Sequence, residues 1–534
     1  FDNTTSTAGS VLNLLQTLGA AALRENARVP NQNLLQTYPS PSIGYDGPNN
    51  QFNYGATLRF QSAKQNGTIY SLSDKIPEIT GDWFVDSVNG NDSNSGKSLS
   101  SAFQTVNAVN AVASDNQTIV LVDDSYFEGN FIANNSVVFK RSKTGTNRPI
   151  VDGSLQVLSS NWELSSGQTK TYKITWNPNY GDGTKDRLTL YENGSLFIRK
   201  SSIAEVESNS GSFYVDSFAN TAGNTVYVHP KASTNPINDG KEYRISAFEA
   251  CIKGNNNCVV DGIHTLRQVG NNGSIVLQES ALIKDCLAEY GTAHNWLIAS
   301  GRVEDTVTQY NDALIGGTQT LGVIYANDVT GLSAVIKGCE FEGGNPETSE
   351  IPSTTTAVYA HSAGDTTNYK SLTFEDNTAT KIKAAYSGLA DEFLIENCLS
   401  KNCLETGLGT QKTTFKNSFY DFANGGNYTN IPAGATVTAR GLKMRTTFAN
   451  SIMFWMAAED CTLDIQQSSF EYGSESGTID LIRTNTATNP DITFTNNVAT
   501  GFTRMLRTDS SINPTVSLDN NIYYRNAGNP EPEW

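Results

Sequence analysis

A short motif recurs through the C-terminal half of this chain, and it limits the possible folds more than any other feature of the sequence. Each copy has two or three apolar or β-branched residues, one variable residue, and then Asp, Asn or Gly. The apolar anchors of the eleven copies are Val260, Ile283, Val303, Ile336, Phe374, Ile395, Phe415, Phe448, Ile465, Phe494 and Leu518. Five of the ten spacings between anchors fall between 20 and 24 residues, and the rest range from 17 to 38. A repeat of this length, made of short β-branched stretches and turn residues, predicts a β-solenoid.

The solenoid gives each position of the motif a physical role. The anchor faces the core, and the residue two later bends the chain in the left-handed region, which Asn, Asp and Gly tolerate. Neighbouring coils lie about 4.8 Å apart, so we expect the turn asparagines to form hydrogen-bonded ladders. A leucine-rich repeat would need Leu at fixed offsets and a helix in each copy, and the sequence has neither. The repeat therefore predicts an all-β fold.

The chain divides into four predicted segments. Residues 1–80 form an N-terminal neck and linker, in which 10–27 carry the apolar stripe of a short amphipathic helix. Residues 81–154 open the solenoid, and 155–247 form a β-rich insertion with many aromatic residues and hairpin signals. Residues 248–534 form the main solenoid. An exposed helix with such a stripe needs a partner, either the body of the protein or copies of itself in an oligomer.

Composition and charge restrict the partners. Only 17% of the residues are charged and the formal net charge is -17, which argues against nucleic acid because phosphate contacts need clusters of Lys and Arg. No apolar run approaches the ~18 residues of a membrane-spanning helix, so we expect no membrane partner. A surface rich in Asn, Ser and Thr fits a neutral polysaccharide, or an acidic glycan met through a local basic patch.

The seven cysteines are Cys251, Cys258, Cys286, Cys339, Cys398, Cys403 and Cys461. Their odd number and the lack of a CxxC pair fit neither a disulfide scaffold nor a zinc site. We therefore predict that they are small, buried core residues of a chain that folds in a reducing compartment. The four histidines form no HExxH motif, and we expect neither a metal site nor a cofactor.

Residues 83–106 carry a resemblance to a known group of proteins. They read Trp83-Phe84-Val85-Asp86, then a Gly/Asn/Asp/Ser-rich turn over 90–96, then Phe103-Gln104-Thr105-Val106. This pattern resembles the opening segment of right-handed parallel β-helix proteins of the pectate-lyase-like superfamily, with Ala102 where Pro is usual. With the polar surface, the helical neck and the free cysteines, the chain is most similar to bacteriophage tailspikes with polysaccharide depolymerase activity.

The resemblance implies a function and an assembly. It implies a right-handed parallel β-helix, a homotrimer, and a glycan groove along or between subunits. The substrate would be a bacterial capsular or O-antigen polysaccharide, and the location would be the virion, outside the host cell, after folding in the host cytoplasm. Because the sequence begins at Phe1, we expect a cut start and attachment to the phage tail or baseplate through a missing N-terminal region. No catalytic motif of the superfamily is matched residue by residue.

The repeat indicates which residues could be catalytic, because it shows which side chains lie in one outward column. Glycoside hydrolysis needs two carboxylates, about 5–5.5 Å apart for retention and 6.5–9.5 Å for inversion. Side chains in one outward column of a solenoid are about 5 Å apart on successive coils and about 10 Å apart two coils on. Six residues after each anchor lie Leu266, Glu289, Gln309, Glu342, Thr380, Lys401, Asp421, Phe454, Glu471 and Thr500. Such a column pairs carboxylates naturally.

We predict that Glu289 is the general acid, with its pKa raised by neighbouring acids, and that Asp312 or Glu342 is the base or nucleophile. Aromatic and basic side chains nearby would hold the sugar. The predicted substrate-binding residues are Tyr290, His294, Trp296, Arg302, Tyr310, His361 and Trp455.

Two other functions stay open. A polysaccharide lyase on the same fold would abstract a proton beside a uronate carboxylate, with Lys381, Arg267 or Tyr290 as the base. A non-catalytic adhesin would bind glycan without cleaving it. The long insertion 343–370, which includes His361, is a second candidate region for the site.

Overall fold

The computed structural model describes residues 45–46, 51–52 and 81–524, with gaps inside the last range. The gaps are 123–124, 130, 134–136, 142–147, 177–187, 217–223, 270–272, 292–293, 311–318, 327–330, 345–354, 363–368, 424–425, 449, 457–459, 474–478, 485–489 and 509–513. The helix predicted within 10–27 and the predicted catalytic residue Asp312 therefore lie outside the described residues. Tyr45–Asp46 and Gln51–Phe52 pair as two short antiparallel strands.

The described chain winds as a parallel β-helix, in which each coil lays its strands beside those of the previous coil. The first face is a 14-stranded sheet whose neighbouring strands pair in parallel. Its strands are Trp83–Val85, Thr118–Leu121, Val138–Arg141, Val259–Asp261, Ala281–Lys284, Gly301–Glu304, Ser333–Lys337, Tyr369–Glu375, Ala390–Glu396, Lys412–Lys416, Thr436–Arg440, Thr462–Gln466, Asp491–Thr495 and Thr515–Asp519. This pairing confirms the predicted β-solenoid, whereas its right-handed sense stays a prediction.

After the first face, the coils turn into a second face and, in most cases, a third. The strands of the second face are Ser125–Tyr126, Ile150–Asp152, His264–Leu266, Leu287–Glu289, Val307–Gln309, Glu340–Glu342, Thr378–Gly388, Leu399–Glu405, Phe419–Phe422, Lys443–Thr446, Ser469–Tyr472, Val498–Thr500 and Ile522–Tyr524. Those of the third face are Phe131–Ala133, Ile252–Gly254, Ile275–Leu277, Trp296–Ile298, Gln319–Ala326, Thr355–Ser362, Asn427–Ile431, Ser451–Met456, Ile479–Thr484 and Arg504–Thr508. The long strand Thr378–Gly388 joins the second face and the early third face into one 19-stranded sheet, and the last four strands form a separate sheet.

A separate β-structure interrupts one coil between Asp152 on the second face and Ile252 on the third. Its strands are Ser154–Val157, Glu163–Leu164, Tyr172–Trp176, Leu190–Glu192, Ser195–Leu196, Ile198–Arg199, Ser212–Asp216, Asn224–His229 and Tyr243–Ser246, in sheets of five and four strands. It has its own core, which includes Trp162, Phe197 and Phe213. The insertion therefore leaves the solenoid at the corner between the second and third faces. The domain boundaries themselves stay a prediction.

The described helices are short. They are the α-helices Val106–Asn110 and Ile203–Ser208 and the 3-10 helices Leu99–Ser101 and Ser159–Asn161. In the described part of the chain, none has the length and hydrophobicity needed to cross a membrane.

The turn at the end of each first-face strand follows the repeat. The residue two after the anchor has a positive φ between 47° and 77° from the Val260 coil onwards: Gly262, Asp285, Asp305, Gly338, Asp376, Asn397, Asn417, Gly441, Gln467, Asn496 and Asn520. In one coil the anchor is Ala439 rather than the predicted Phe448. With this change, the anchors from Val260 to Phe494 are at most 1% exposed. Phe448 is a wrong anchor, because it lies between strands and is 37% exposed. Leu518 is aligned with Phe494 as predicted, but it is 42% exposed and does not face the core.

A side-chain ladder runs along this corner, but one position later than we predicted. The backbone N–H of Cys339 donates to Oδ1 of Asn377 at 2.8 Å. Likewise, the N–H of Ser468 donates to Oδ1 of Asn497 at 2.8 Å, and the N–H of Asn497 donates to Oδ1 of Asn521 at 3.0 Å. The ladder residues point inward and replace backbone partners at the bend, and the left-handed residue before each of them supplies the backbone geometry.

All seven cysteines are buried and none forms a disulfide, which confirms that they are core residues. Cys286, Cys339 and Cys398 belong to the same corner column as the ladder asparagines. The thiol of Cys286 donates to the carbonyl of Val260 at 3.4 Å. Burial raises the pKa of Cys286 to about 12, so this thiol stays protonated and unreactive at neutral pH.

Candidate functional site

The outward column on the second face is the one that the repeat predicted. Strand register aligns Glu289 with Gln309 and then with Glu342. The column continues through Thr380, Lys401, Asp421, Arg445 and Glu471. Arg445 stands where we predicted Phe454, because the anchor of that coil is Ala439 rather than Phe448. The register places the Cβ atoms of Glu289 and Glu342 about 10 Å apart, two strand spacings along the column.

Glu289 is surrounded by proton donors. Nε2 of His264 lies 2.8 Å from Oε2 of Glu289, and the side-chain amide of Gln309 donates to Oε1. Burial alone would raise the pKa of Glu289, but His264, Gln309 and the charge of Arg267 outweigh it and lower this pKa below its usual value. The predicted raised pKa of Glu289 is therefore wrong, since these neighbours favour its carboxylate form, and its predicted catalytic role stays a prediction.

The corner after the second face also uses left-handed residues, and these are large. Tyr290 and Tyr310 have φ of 54° and 55°, and Arg267 and Lys381 have 57° and 53°. A non-glycine residue in this region costs about 1–2 kcal/mol. Large side chains that hold a costly backbone geometry cluster at functional sites, which makes this corner a candidate site.

The insertion completes the corner. The ring of its Tyr191 meets that of Tyr290 edge-on at 5.7 Å, and Tyr290 meets Tyr310 at 5.5 Å. The guanidinium of Arg267 lies 5.2 Å from the centre of the Tyr191 ring and forms an ion pair of 2.9 Å with the buried Asp152. Three rings thus run along the corner beside the carboxylate column.

The far end of this arrangement carries a second ion pair. Nζ of Lys381 lies 2.8 Å from Oε1 of Glu342, and both side chains are about one-third exposed, at 37% and 32%. Burial, Glu342 and Glu289 together raise the pKa of Tyr310, so its hydroxyl stays protonated. We call Tyr191, Tyr290, Tyr310, Glu289 and Glu342 the acidic–aromatic row.

Trp296 does not belong to the row, and its predicted role in sugar stacking is wrong. The side chain is 0% exposed and lies in the main hydrophobic core. Its Nε1 donates to Oγ1 of Thr308 at 3.2 Å, and a Cβ at Gly322 on the next coil would overlap its ring. The third-face strand that begins at Trp296 turns this residue inward, so no sugar can reach it.

His294 and Arg302 lie in different surroundings, and their predicted roles in substrate binding stay predictions. His294 lies in the turn after Tyr290, where its Nδ1 is 2.6 Å from Oγ1 of Thr320, and this contact makes it a hydrogen-bonding residue of the turn. Arg302 is on the first face and pairs with Glu304, with 56% of its side chain exposed. The structure does not bring Arg302 to the acidic–aromatic row, because the corner at Asp305 separates the two faces.

His361 and Trp455 lie on the third face, in other surroundings. The ring of His361 contacts Tyr325 at 4.8 Å and stacks on Tyr359 at 5.1 Å. Trp455 is aligned with Arg483 on the neighbouring strand. Neither residue contacts the row, and their predicted roles in substrate binding stay predictions.

Sequence reasoning missed His264, Asp152 and Tyr191. His264 has a signal in the repeat: it lies four residues after its anchor, and Glu289 lies six residues after the next anchor. Positions offset by two on adjacent strands are diagonal neighbours, within reach of long side chains. Tyr191 has no such signal, because only the fold shows where the insertion leaves the coil. Within the described residues, no three His, Cys, Asp or Glu side chains cluster as metal ligands.

No protein-family model matches the chain, and no curated protein matches it. Similar solved structures include the complex of XylC with xylose, at 10% identity and a TM-score of 0.51, covering 83% of this chain and 86% of the other. They also include GH136 lacto-N-biosidase from Eubacterium ramulus (10% identity, 83% and 68% covered, TM-score 0.30) and the tailspike gp49 from Pseudomonas phage LKA1 (10%, 78% and 73%, 0.28). The likeness to XylC shows a shared fold, and the two lower TM-scores add nothing to that conclusion.

Proposed function

We propose that this chain binds a polysaccharide along the acidic–aromatic row and hydrolyses it there. The observation that carries the proposal is the contact of two partly exposed rings, Tyr290 and Tyr310, beside two carboxylates of one column. Tyr191 is 0% exposed and supports the ring of Tyr290 from the insertion. Tyrosine rings stack on the C–H faces of sugars while their hydroxyls bind sugar oxygens. A row that follows the solenoid axis suits an extended polymer better than a small molecule.

In the proposed reaction, Glu289 is the general base and Glu342 is the general acid. Glu289, which its neighbours keep ionised, removes a proton from a water molecule as that water attacks the anomeric carbon. The glycosidic C–O bond breaks, and Glu342 gives its proton to the leaving oxygen. In this proposal Glu342 takes its proton from solvent before each turnover, and the saccharide displaces the ammonium of Lys381 from it. The Cβ atoms of Glu289 and Glu342 are about 10 Å apart, which leaves room for the roughly 6.5–9.5 Å between carboxyl groups that inverting enzymes use.

The assignment of a biological role rests on the resemblance of residues 83–106 to the opening segment of pectate-lyase-like β-helix proteins. It supports a phage tailspike that acts as a depolymerase of a capsular or O-antigen polysaccharide, outside the host cell and as part of the virion. A homotrimer of parallel solenoids belongs to the same proposal.

A second candidate function is glycan binding without cleavage. Each carboxylate described around the row has a nitrogen of a basic side chain within 3 Å: Asp152 has Arg267, Glu289 has His264, and Glu342 has Lys381. Ion pairs of this kind lock side chains in place, which suits a fixed binding surface.

Incubation of the protein with a panel of capsular and O-antigen polysaccharides tests the proposal. Mass spectrometry of the products identifies the new chain ends. Reducing ends without unsaturation support hydrolysis, and unsaturated ends overturn it in favour of a lyase. Binding of a polysaccharide without any cleavage overturns it in favour of an adhesin.

A further inference from the structure

We propose that the third face holds a separate binding site for a carboxylated sugar unit of an acidic glycan, formed by Trp455, Arg483 and Arg507. Strand register aligns Trp455 with Arg483, and Arg483 with Arg507. Parallel strands lie 4.7–4.9 Å apart and aligned residues stand on the same side, so the three side chains form one column. The indole of Trp455 and the guanidinium groups of Arg483 and Arg507 are therefore neighbours on the third face.

The charges of this column are not balanced within the described residues. Nη1 of Arg507 lies 3.6 Å from Oδ2 of Asp480, whose other oxygen already binds Nε of Arg504 at 2.6 Å. Arg483 forms no ion pair with any residue that the structure describes. Like charges on aligned strand positions destabilise a sheet, so an anion placed between Arg483 and Arg507 would relieve their repulsion.

Two N–H groups of the column also lack an acceptor. Nε of Arg483 and Nε1 of Trp455 are both shielded from solvent and have no hydrogen-bond partner in the described part of the chain. A buried donor without an acceptor is unfavourable, and rotation of either side chain toward solvent would let a ligand oxygen accept from it. The column thus offers charge and directed donors to one negatively charged group.

A carboxylated sugar matches these features together. Guanidinium groups bind carboxylates through two parallel hydrogen bonds. The indole of Trp455 can stack on the C–H face of the sugar ring that carries the carboxylate. A free inorganic anion would use the arginines but not the indole, and this difference separates the two ligands in an experiment.

The site is independent of the acidic–aromatic row. The strand of Arg483 lies five coils beyond that of Glu342, a distance of about 24 Å along the axis, and on another face. A test of acidic-glycan binding at the column is therefore independent of a test of cleavage at Glu289.

Isothermal titration of the full chain with a hyaluronan hexasaccharide tests the site, with the carboxyl-reduced hexasaccharide as the neutral counterpart. We expect binding of the acidic form only, at least a tenfold loss of affinity in Arg483→Gln, and a partial loss in Arg483→Lys. Arg440→Gln is the matched control, because Arg440 lies on the first face and, unlike Arg483, has an ion pair, with Asp464 at 3.0 Å. Its affinity should stay within twofold of the wild type.

Three results would overturn the inference. The first is equal binding of the acidic and neutral hexasaccharides. The second is unchanged affinity in Arg483→Gln with an unchanged melting temperature. The third is full displacement of the hexasaccharide by equimolar phosphate or sulfate, which would mean a plain anion site. Should Arg483→Gln fail to fold, the Arg483→Lys and Trp455→Phe variants give the same test.

Discussion

Nε2 of His264 lies 2.8 Å from Oε2 of Glu289, and the two residues come from strands of successive coils. Both side chains are largely shielded, at 16% and 13% exposure. The pair therefore joins two coils at the middle of the row and holds Glu289 in its charged form. This relationship leads to the first two predictions.

Removal of the imidazole should destabilise the fold. His264→Ala leaves the shielded carboxylate of Glu289 without its main partner, and we expect a loss of about 2 kcal/mol in the free energy of unfolding. Urea denaturation at pH 7 measures it. His264→Gln, which keeps a hydrogen-bond donor, should lose less, and equal stability of His264→Ala and the wild type would contradict a stabilising contact between His264 and Glu289.

The stability that Glu289 contributes should depend on pH in one direction. Its folded pKa lies below the ordinary 4.5, so the stabilisation is complete above that value and disappears as pH falls through the lowered pKa. We expect Glu289→Gln to be less stable than the wild type at pH 7 and the difference to shrink below about pH 4. A series of thermal melts between pH 7 and pH 3 measures this. A difference that is constant, or that grows on acidification, would contradict the lowered pKa.

The aromatic residues should divide into core and binding roles. Trp296→Ala should cost about 3–5 kcal/mol of stability, whereas the milder Trp296→Phe should fold and bind glycan like the wild type. Tyr290→Ala should weaken glycan binding about tenfold or more, because a stacking surface is lost. Tyr214→Ala is the matched control, since Tyr214 stacks on Tyr227 within the insertion at 6.1 Å. A loss of binding in Trp296→Phe, with Tyr290→Ala unaffected, would reverse this assignment.

Two adjacent asparagines should respond in opposite ways. Asn496 is exposed and has a φ of 55°, so Asn496→Gly should change stability by less than about 0.5 kcal/mol. Asn497 is 1% exposed, and its amide donates to the carbonyl of Ile465 at 3.0 Å as well as accepting from Ser468. Asn497→Ala should cost about 2–3 kcal/mol, because buried backbone groups lose their partners. Similar melting temperatures for the two variants would contradict the ladder.

The repeat predicted the solenoid well because its physical requirements are local. A left-handed bend after a buried anchor favours Asn, Asp or Gly. Such a residue stands two positions after the anchor in most coils, for example Asp285, Asn397 and Asn496. Phe448 was misread because Phe-Ala-Asn fits the motif equally well in a loop. The anchor of this coil is the small residue Ala439, followed two positions later by Gly441. A small apolar anchor does not stand out in the sequence.

The site was harder to predict because its contacts are between coils. Glu289 was found as a member of a column, but its protonation depends on His264, which comes from the preceding coil. Trp296 was misplaced because the turn between the second and third faces varies in length, so periodicity does not show which third-face residues point inward. The contact of Tyr191 with Tyr290 depends on where the insertion leaves the coil, and no sequence pattern encodes that place.

Cleavage by carboxylate variants tests the central claim most directly. The measurement is the rate at which new reducing ends form from a polysaccharide that the wild type cleaves, for Glu289→Gln, Glu342→Gln and Glu471→Gln. Glu471 lies in the same column but five strands beyond Glu342, and it serves as the control. We predict at least a 100-fold loss, on the order expected for removal of a general acid or base, in the first two variants and an unchanged rate in the third. Wild-type rates in both Glu289→Gln and Glu342→Gln would contradict the proposal that the acidic–aromatic row is the catalytic site.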